Sequence, residues 1–369
     1  MAEKSCDLVE QLKTVPDPRR QCANLRHLLE DVLILGFRGT LAGCDDFVEI
    51  AEWAALHEDF FRSFLELPNG IPSHDTIGRV FAAVNTHALQ AVLIPWLQSR
   101  RGAAGDLVHI DGKAMRGTRV AAAGLSALHV VSAWAGEAGL TLGQVAVDEK
   151  SNEITAIPKL LELLDLRGKV VTIDAMGCQK EIAAAVIEGG ADYVLAVKDN
   201  QPTLHAQAQA AFEKTAGEAF PFSVAESDGH GRREVREVRV LPASPFVSEL
   251  GSWAGLLTLV MVTRWATCVA TGVKTCEVRY FISSLRPDPH KLGRAIRSHW
   301  SIESMHWVLD VVFGEDARRV EERAAAENVA FMNRLALSLL RGDKSKGSLK
   351  VKRKKAGWDV RFLAKLIGI

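Results

Sequence analysis

Asp111, Asp174 and Glu303 are the residues whose types and placement could do chemistry. Asp111 closes the apolar run Leu107-Val108-His109-Ile110, and Asp174 closes Val170-Val171-Thr172-Ile173. A single Asp after a strand is a common turn starter. Two at the ends of strands that could lie side by side are a stronger pattern, because neighbouring carboxylates repel unless a cation neutralises them. Glu303 lies in DPHKLGRAIRSHWSIESMHWVLDVVFG, residues 288–314, which reads as a long helix capped by Asp288, with Pro289 in its first turn and Gly314 after its end. At about 100° per residue, Leu292, Ile296, His299, Glu303, His306, Trp307 and Asp310 share one face. A helix that turns an acid and its apolar residues the same way must bury the acid or bring it to a metal. Three carboxylates can bind two Mg²⁺ or Mn²⁺ ions about 4 Å apart, which serves phosphoryl transfer. A rival ligand set on the same helix, His299-x3-Glu303-x2-His306, could hold zinc, but it leaves the two Asp unexplained.

The surrounding elements must bring these acids together. Residues 1–100 show helical periodicity through Leu25–Leu41, Phe47–Leu56 and Leu89–Leu97. Within them the Gly70-Ile71-Pro72-Ser73 break before His74–Ala83 is compatible with a DNA-reading helix-turn-helix. From Leu107 the pattern changes to three short strands, then helix 154–164, strand 170–173, helix 179–188 and strand 193–197. That order is the order of a ribonuclease H-like α/β fold, and it predicts Asp111 and Asp174 at the carboxyl ends of adjacent parallel strands. Residues 101–341 therefore read as the catalytic domain, with a β-rich insertion at about 200–282 that carries Trp253 and Trp265, core residues or base-stacking platforms. Ala324–Leu340 is a second helix, and residues 342–369 form a basic tail.

Charge is balanced overall, with 45 Lys and Arg against 45 Asp and Glu. The distribution says more: Arg341 to Lys365 holds ten Lys and Arg against Asp343 and Asp359, a footprint of phosphate-backbone contact or of a solvated tail. The candidate DNA contacts are Lys113, Arg116 and His299 beside the acids, and Lys350, Lys352, Arg353, Lys354 and Lys355 in the tail. A hydrophobic content of 48% with apolar runs too short to span a bilayer, and an N-terminus without a signal-peptide core, predict a cytoplasmic protein. Six scattered cysteines without a C-x-x-C predict reduced thiols. No Walker loop, G-x-G-x-x-G, G-x-S-x-G or H-E-x-x-H is present, so nucleotide hydrolysis, dinucleotide redox and zincin chemistry lack support.

The blocks VHIDGKAMRGT, KSNEITAIPKLLELLDLRGKVVTIDAMGCQKEIA, DYVLAVKDNQ and HWSIESMHWVLDVVFGEDARRV together resemble the DDE transposases of bacterial insertion sequences, in the H-repeat-associated group linked with Rhs elements. DPRRQCANLRHLLEDVLIL, GIPSHDTIGRVF and AGWDVRFLAKLI extend the similarity over nearly the whole chain. The resemblance implies a ribonuclease H-like core with Asp111, Asp174 and Glu303 as the acidic triad. It also implies Mg²⁺ or Mn²⁺, two ions, and double-stranded DNA as partner, bound by a homodimer or larger assembly in the bacterial nucleoid. It departs from the Tyr-x2-Arg-x3-Glu-x6-Lys signature of broader relatives, since Ile296, His299 and Asp310 flank Glu303, and Ser304 stands where Asn is expected. An active transposase that cuts and joins DNA ends is the first reading. A DNA-binding remnant and a plain metal-dependent nuclease are the alternatives.

Overall fold

The structure, a computed structural model, describes residues 7–20, 25–102, 104–119, 126–147, 151–216, 220–229 and 231–368. Cys6, Cys22, Lys150 of the second block, and His230 in the turn before the β-rich strands lie outside the described residues. Helices α1 (Asp7–Leu12), α2 (Leu29–Ala42), α3 (Phe47–Leu56), α4 (Glu58–Arg62), α5 (His74–Ala83) and α6 (Thr86–Arg101) come first. They are followed by β1 (Leu107–Met115), β2 (Leu128–Ala135), β3 (Leu140–Ala146), α7 (Glu153–Glu162), β4 (Val170–Ile173), α8 (Lys180–Glu188) and β5 (Asp192–Val197). Next are α9 (Pro202–Lys214), β6 (Phe222–Gly229), β7 (Arg232–Pro242), α10 (Val247–Leu250), β8 (Thr258–Cys268) and β9 (Lys274–Ser283). The chain closes with α11 (Pro289–Phe313), α12 (Arg323–Gly342), α13 (Leu349–Trp358) and α14 (Val360–Ile367).

Among the described residues nine strands form one sheet in the order β3-β2-β1-β4-β5-β9-β8-β7-β6. β1 pairs in parallel with β4 from Leu107↔Val170 to Ile110↔Ile173, and β4 pairs in parallel with β5. These strands are Val- and Ile-rich and buried, as parallel strands covered on both faces must be. β1 does not stop at Asp111, as its apolar run suggested; it continues to Met115 against β2 after β4 has ended. Asp111 thus stands where β1 loses its parallel neighbour. The β-rich stretch after α9 extends the same sheet, because β9 pairs antiparallel with β5 from Val194↔Ser283 to Val197↔Tyr280. The remainder of β9, with β8 and β7 beside it, overhangs the end of β5.

α11 lies across β1 and β4 and reaches β7. Leu292 and Ala295 pack there with Val238, Val240, Val260, Val262 and Phe281. Farther along, Ile302, Met305, Leu309 and Phe313 enter the larger core. α12 is buried on nearly every side, between α5, α6 and α2 on one flank and β2 and β3 on the other. Asn328 donates to the carbonyls of Phe81 and Val84 at 2.8 Å, satisfying the end of α5. Packing therefore crosses the division at residue 100. Residues 63–73 separate α4 from α5, longer than the roughly three- to four-residue turn of a helix-turn-helix. α5 also spends Ile77, Val80 and Phe81 on the core.

The basic tail folds into α13 and α14, with α13 packed on α2. Two of its candidate DNA contacts are corrected by burial. Arg353 donates to the carbonyls of Thr40, Cys44 and Val312 and pairs with Asp45 at 2.9 Å, its guanidinium over the Phe313 ring. Lys352 is buried against Asp343. Neither cation is free for phosphate. Replacing Arg353 with Ala should cost about 3 kcal/mol, because three carbonyls lose a charged donor in a buried site. Lys354→Ala on the exposed side should stay within about 0.5 kcal/mol. Urea unfolding of both variants checks the contrast, and equal midpoints would contradict it.

Candidate active site

Asp111 and Asp174 leave adjacent parallel strands at the same level, one residue beyond the pair Ile110↔Ile173. Asp174 caps a short 3₁₀ turn, accepting from the Met176 N–H at 3.1 Å, and Asp111 Oδ1 accepts from the Gly112 N–H at 2.9 Å. A third carboxylate joins them. Among the described residues, Asp111, Glu153 and Asp174 are the group whose ligand atoms all lie within 4.8 Å of one another. Glu153 opens α7 behind the cap Asn152, is buried, and lies with Oε1 2.6 Å from Nε2 of His129. Sequence reasoning missed it, although Asn152-Glu153 at a helix start was a usable signal. Among the described residues no lysine or arginine is in ion-pair contact with the three acids.

Crowding shows in the titration of these groups. Burial pushes Asp111 up to about 7, and repulsion from Asp174, Glu153 and Glu303 adds to it. Asp174 is raised by burial and then by Glu153. Glu303 faces the same cleft, of about 420 Å³, but stands outside the close group of three. Burial raises it, while Arg279 and Lys198 pull it down. Basic residues also line the cleft: Lys198 after β5, Arg236, Arg264 and Arg279 from the overhanging strands, and Arg297 from α11. Glu234 pairs with Arg236 and Arg264, and Glu277 with Arg279 at 2.7 Å. Lys198 and Arg297 are exposed and, among the described residues, have no ion-pair partner.

Beneath the acids, Thr172 Oγ1 lies 2.7 Å from Nδ1 of His109 and 2.8 Å from Nδ1 of His299, so one hydroxyl donates to one ring and accepts from the other. Burial holds both imidazoles neutral, His109 down to about 3 and His299 to about 4. His299 is therefore a neutral link from α11 to β4 rather than a cationic DNA contact. His306, likewise pushed down by burial to about 3, puts Nδ1 3.5 Å from Asp111 Oδ2. His299, Glu303 and His306 do not gather as a zinc set among the described residues. Lys113 is also corrected. Its side chain is buried and pairs with Asp310 at 2.7 Å and Asp316 at 2.9 Å. Arg116 stays largely exposed, 3.5 Å from Asp316, and Lys350, Lys354 and Lys355 are exposed on α13. Trp253 is a core residue; Trp265 is partly exposed on the outer face of β8.

Two aspartates on adjacent strands, a helix glutamate and several basic residues thus line one cleft. Comparison with known proteins gives the family. Residues 103–339 match the family described as Transposase DDE domain, and residues 9–97 match DDE_Tnp_1-associated. The chain belongs to the DDE transposase family. It is 38% identical over 378 residues to "Putative transposase YncI" of Escherichia coli O157:H7, covering 98% of this chain and 94% of the relative. It is 35% identical over 370 residues to "H repeat-associated putative transposase YhhI" of Escherichia coli K12, covering 98% and 97%. It is 42% identical over 279 residues to the "Uncharacterized protein in dhlA 3'region" of Xanthobacter autotrophicus, covering 74% and 93%. No single described helix is long and apolar enough to cross a membrane.

Thr172→Val removes the hydroxyl shared by two buried imidazoles and should lower stability by about 2 kcal/mol. Urea denaturation measures this, and a wild-type midpoint would show that the link bears no strain of the fold.

Proposed function

We propose that the protein is a DNA transposase that cleaves insertion-sequence ends and joins them to target DNA at the cleft of Asp111, Asp174 and Glu303. The observation that carries this is the placement of Asp111 and Asp174 side by side where the parallel pairing of β1 and β4 ends, under a helix that brings Glu303 to the same cleft. The strand order β3-β2-β1-β4-β5 with α11 across it supports a ribonuclease H-like reading of the core.

The donor set fits a hard divalent cation: clustered carboxylate oxygens with no lysine or arginine bridging them among the described residues, two of them raised by burial and then by a neighbouring carboxylate. Asp111 and Asp174 would hold Mg²⁺ or Mn²⁺, with Glu303 as the further ligand. When bound, two such ions activate a water or hydroxyl and stabilise the leaving oxygen at the scissile phosphate. The chain's own residues do the rest. Thr172 and His299 fix the rotation of α11, so that Glu303 faces the aspartates. Lys198 and Arg297 bind backbone phosphates entering the cleft, and exposed Arg116, Lys350, Lys354 and Lys355 offer further contacts along duplex DNA. Assembly as a homodimer or larger complex on DNA would bring two ends together.

Asp174→Asn and Glu303→Gln should each abolish Mg²⁺-dependent nicking and joining of a matched end while leaving thermal melting and end binding intact. Cutting without joining by the wild type would favour a plain nuclease, and binding without cutting a remnant. The double variant Lys198→Ala/Arg297→Ala should weaken binding to all sequences alike and reduce the log–log salt slope by about 2, about one for each lost phosphate contact. An unchanged slope by fluorescence anisotropy would remove these two residues from the DNA path.

A further inference from the structure

We propose that Glu153 is a fourth carboxylate of the metal centre, so that Asp111, Asp174 and Glu153 make a divalent-cation site complete without Glu303 or DNA. The inference rests on the reading of the acidic cleft given above. Geometry is its first support: the ligand atoms of these three residues lie within 4.8 Å of one another, and Glu303 is not in the group. The second is how Glu153 is held. Asn152 Oδ1 accepts from the Ile154 N–H at 3.1 Å and fixes the start of α7. A glutamate at that position could turn to solvent and still gain from the helix N-terminus. Glu153 instead is only 8% exposed and points at two like charges.

The third support is the space kept clear for it. Gly112 follows Asp111 directly, and a Cβ there would overlap both the Glu153 carboxylate and the His129 ring. His129 comes from β2, opposite Ala114 of β1, and its Nε2 lies 2.6 Å from Glu153 Oε1. A polar partner outside the coordination shell is the usual way a metal ligand's orientation is set. One partly exposed histidine does not neutralise three carboxylates, whereas a divalent cation among them would. The merely structural alternative is that Glu153–His129 ties α7 to β2.

Mn²⁺ titration of the full-length protein without DNA, read by the electron paramagnetic resonance of free Mn²⁺, separates the two. Glu153→Gln should weaken the first Mn²⁺ at least about ten-fold, and Glu303→Gln by less than about three-fold. His129→Gln should fall between them. The metal-free melting temperature of Glu153→Gln should equal or exceed that of wild type, because a repelling charge is removed; a structural tie predicts a fall. Should Glu153→Gln not fold, Glu153→Asp carries the test, since it keeps the charge but withdraws the oxygen. Wild-type Mn²⁺ affinity in the folded Glu153 variant, with loss in Asp174→Asn, overturns this proposal and leaves the metal centre standing. Equal weakening by Glu303→Gln and Glu153→Gln overturns the claim that the site is complete without Glu303. A wild type that binds no Mn²⁺, or binds it as Asp174→Asn does, overturns the metal-centre reading and this one with it.

Discussion

Glu315 has no exposed surface, and the placement of the acidic cleft depends on how that carboxylate is paired. A buried carboxylate without partners costs several kcal/mol, so the elements around it must supply them. Arg334 of α12 gives Nη1 at 3.0 Å, Asn333 gives Nδ2 at 3.3 Å, and Lys113 of β1 places Nζ 3.6 Å away. Arg334 also donates to Ser132 of β2 at 2.9 Å. The next residues extend the clamp. Asp316 takes Lys113 and the Arg116 N–H, and Arg318 reaches the carbonyl of Cys44 and Asp45 beside α3. One short turn after α11 thus binds the helix end to the sheet, to α12 and to the N-terminal helices. Such networks add little net stability over apolar packing, but they tolerate only one arrangement of their members. Glu303 sits on the same helix, held at this end by the clamp and nearer its middle by His299 on Thr172. Lys113 is two residues after Asp111, so a single strand sets both the acid and the register of the helix that faces it.

Much of this was legible in the sequence, and the failures have physical causes. Asp111 and Asp174 could be read because each follows an apolar run, a local property, although β1 itself runs on past Asp111 to Met115. The element order through β5 could be read for the same reason. The pairing of β9 with β5 could not, since it is non-local and nothing in either strand names its partner. Glu153 escaped because Asn152-Glu153 marks a helix start but not which way that start faces, and spacing does not carry that. The tail failed in a more instructive way. Leu349, Lys352, Arg353 and Ala356 follow the i, i+3, i+4, i+7 rhythm of a buried helical face, and that face packs toward α2. Two of its four positions are cationic. A charge count sees ten basic residues and assigns them all to solvent, while the periodicity separates Lys352 and Arg353 from Lys350, Lys354 and Lys355.

The cleft's electrostatics explain how an acidic centre could coexist with a polyanionic partner. Three clustered carboxylates repel phosphate, and a bound cation reverses that only locally. In the proposed reaction, the attraction needed at longer range comes from the basic residues that line the cleft. They are of two kinds. Arg236, Arg264 and Arg279 are paired with Glu234 and Glu277 and so arrive with ordered guanidinium planes. Lys198 and Arg297 have no such partner among the described residues and keep their full charge for a ligand. This division bears on the departures from the transposase signature around Glu303. Where broader relatives carry Arg and Lys, this chain has His299 and Asp310. The first is neutral and hydrogen-bonded to Thr172, and the second is paired with Lys113. Both positions have turned inward to hold α11 in place. In the proposed reaction, the cations for phosphate then come from the end of β5, the exposed side of α11 and the overhanging strands, while the helix that carries Glu303 is left to position it.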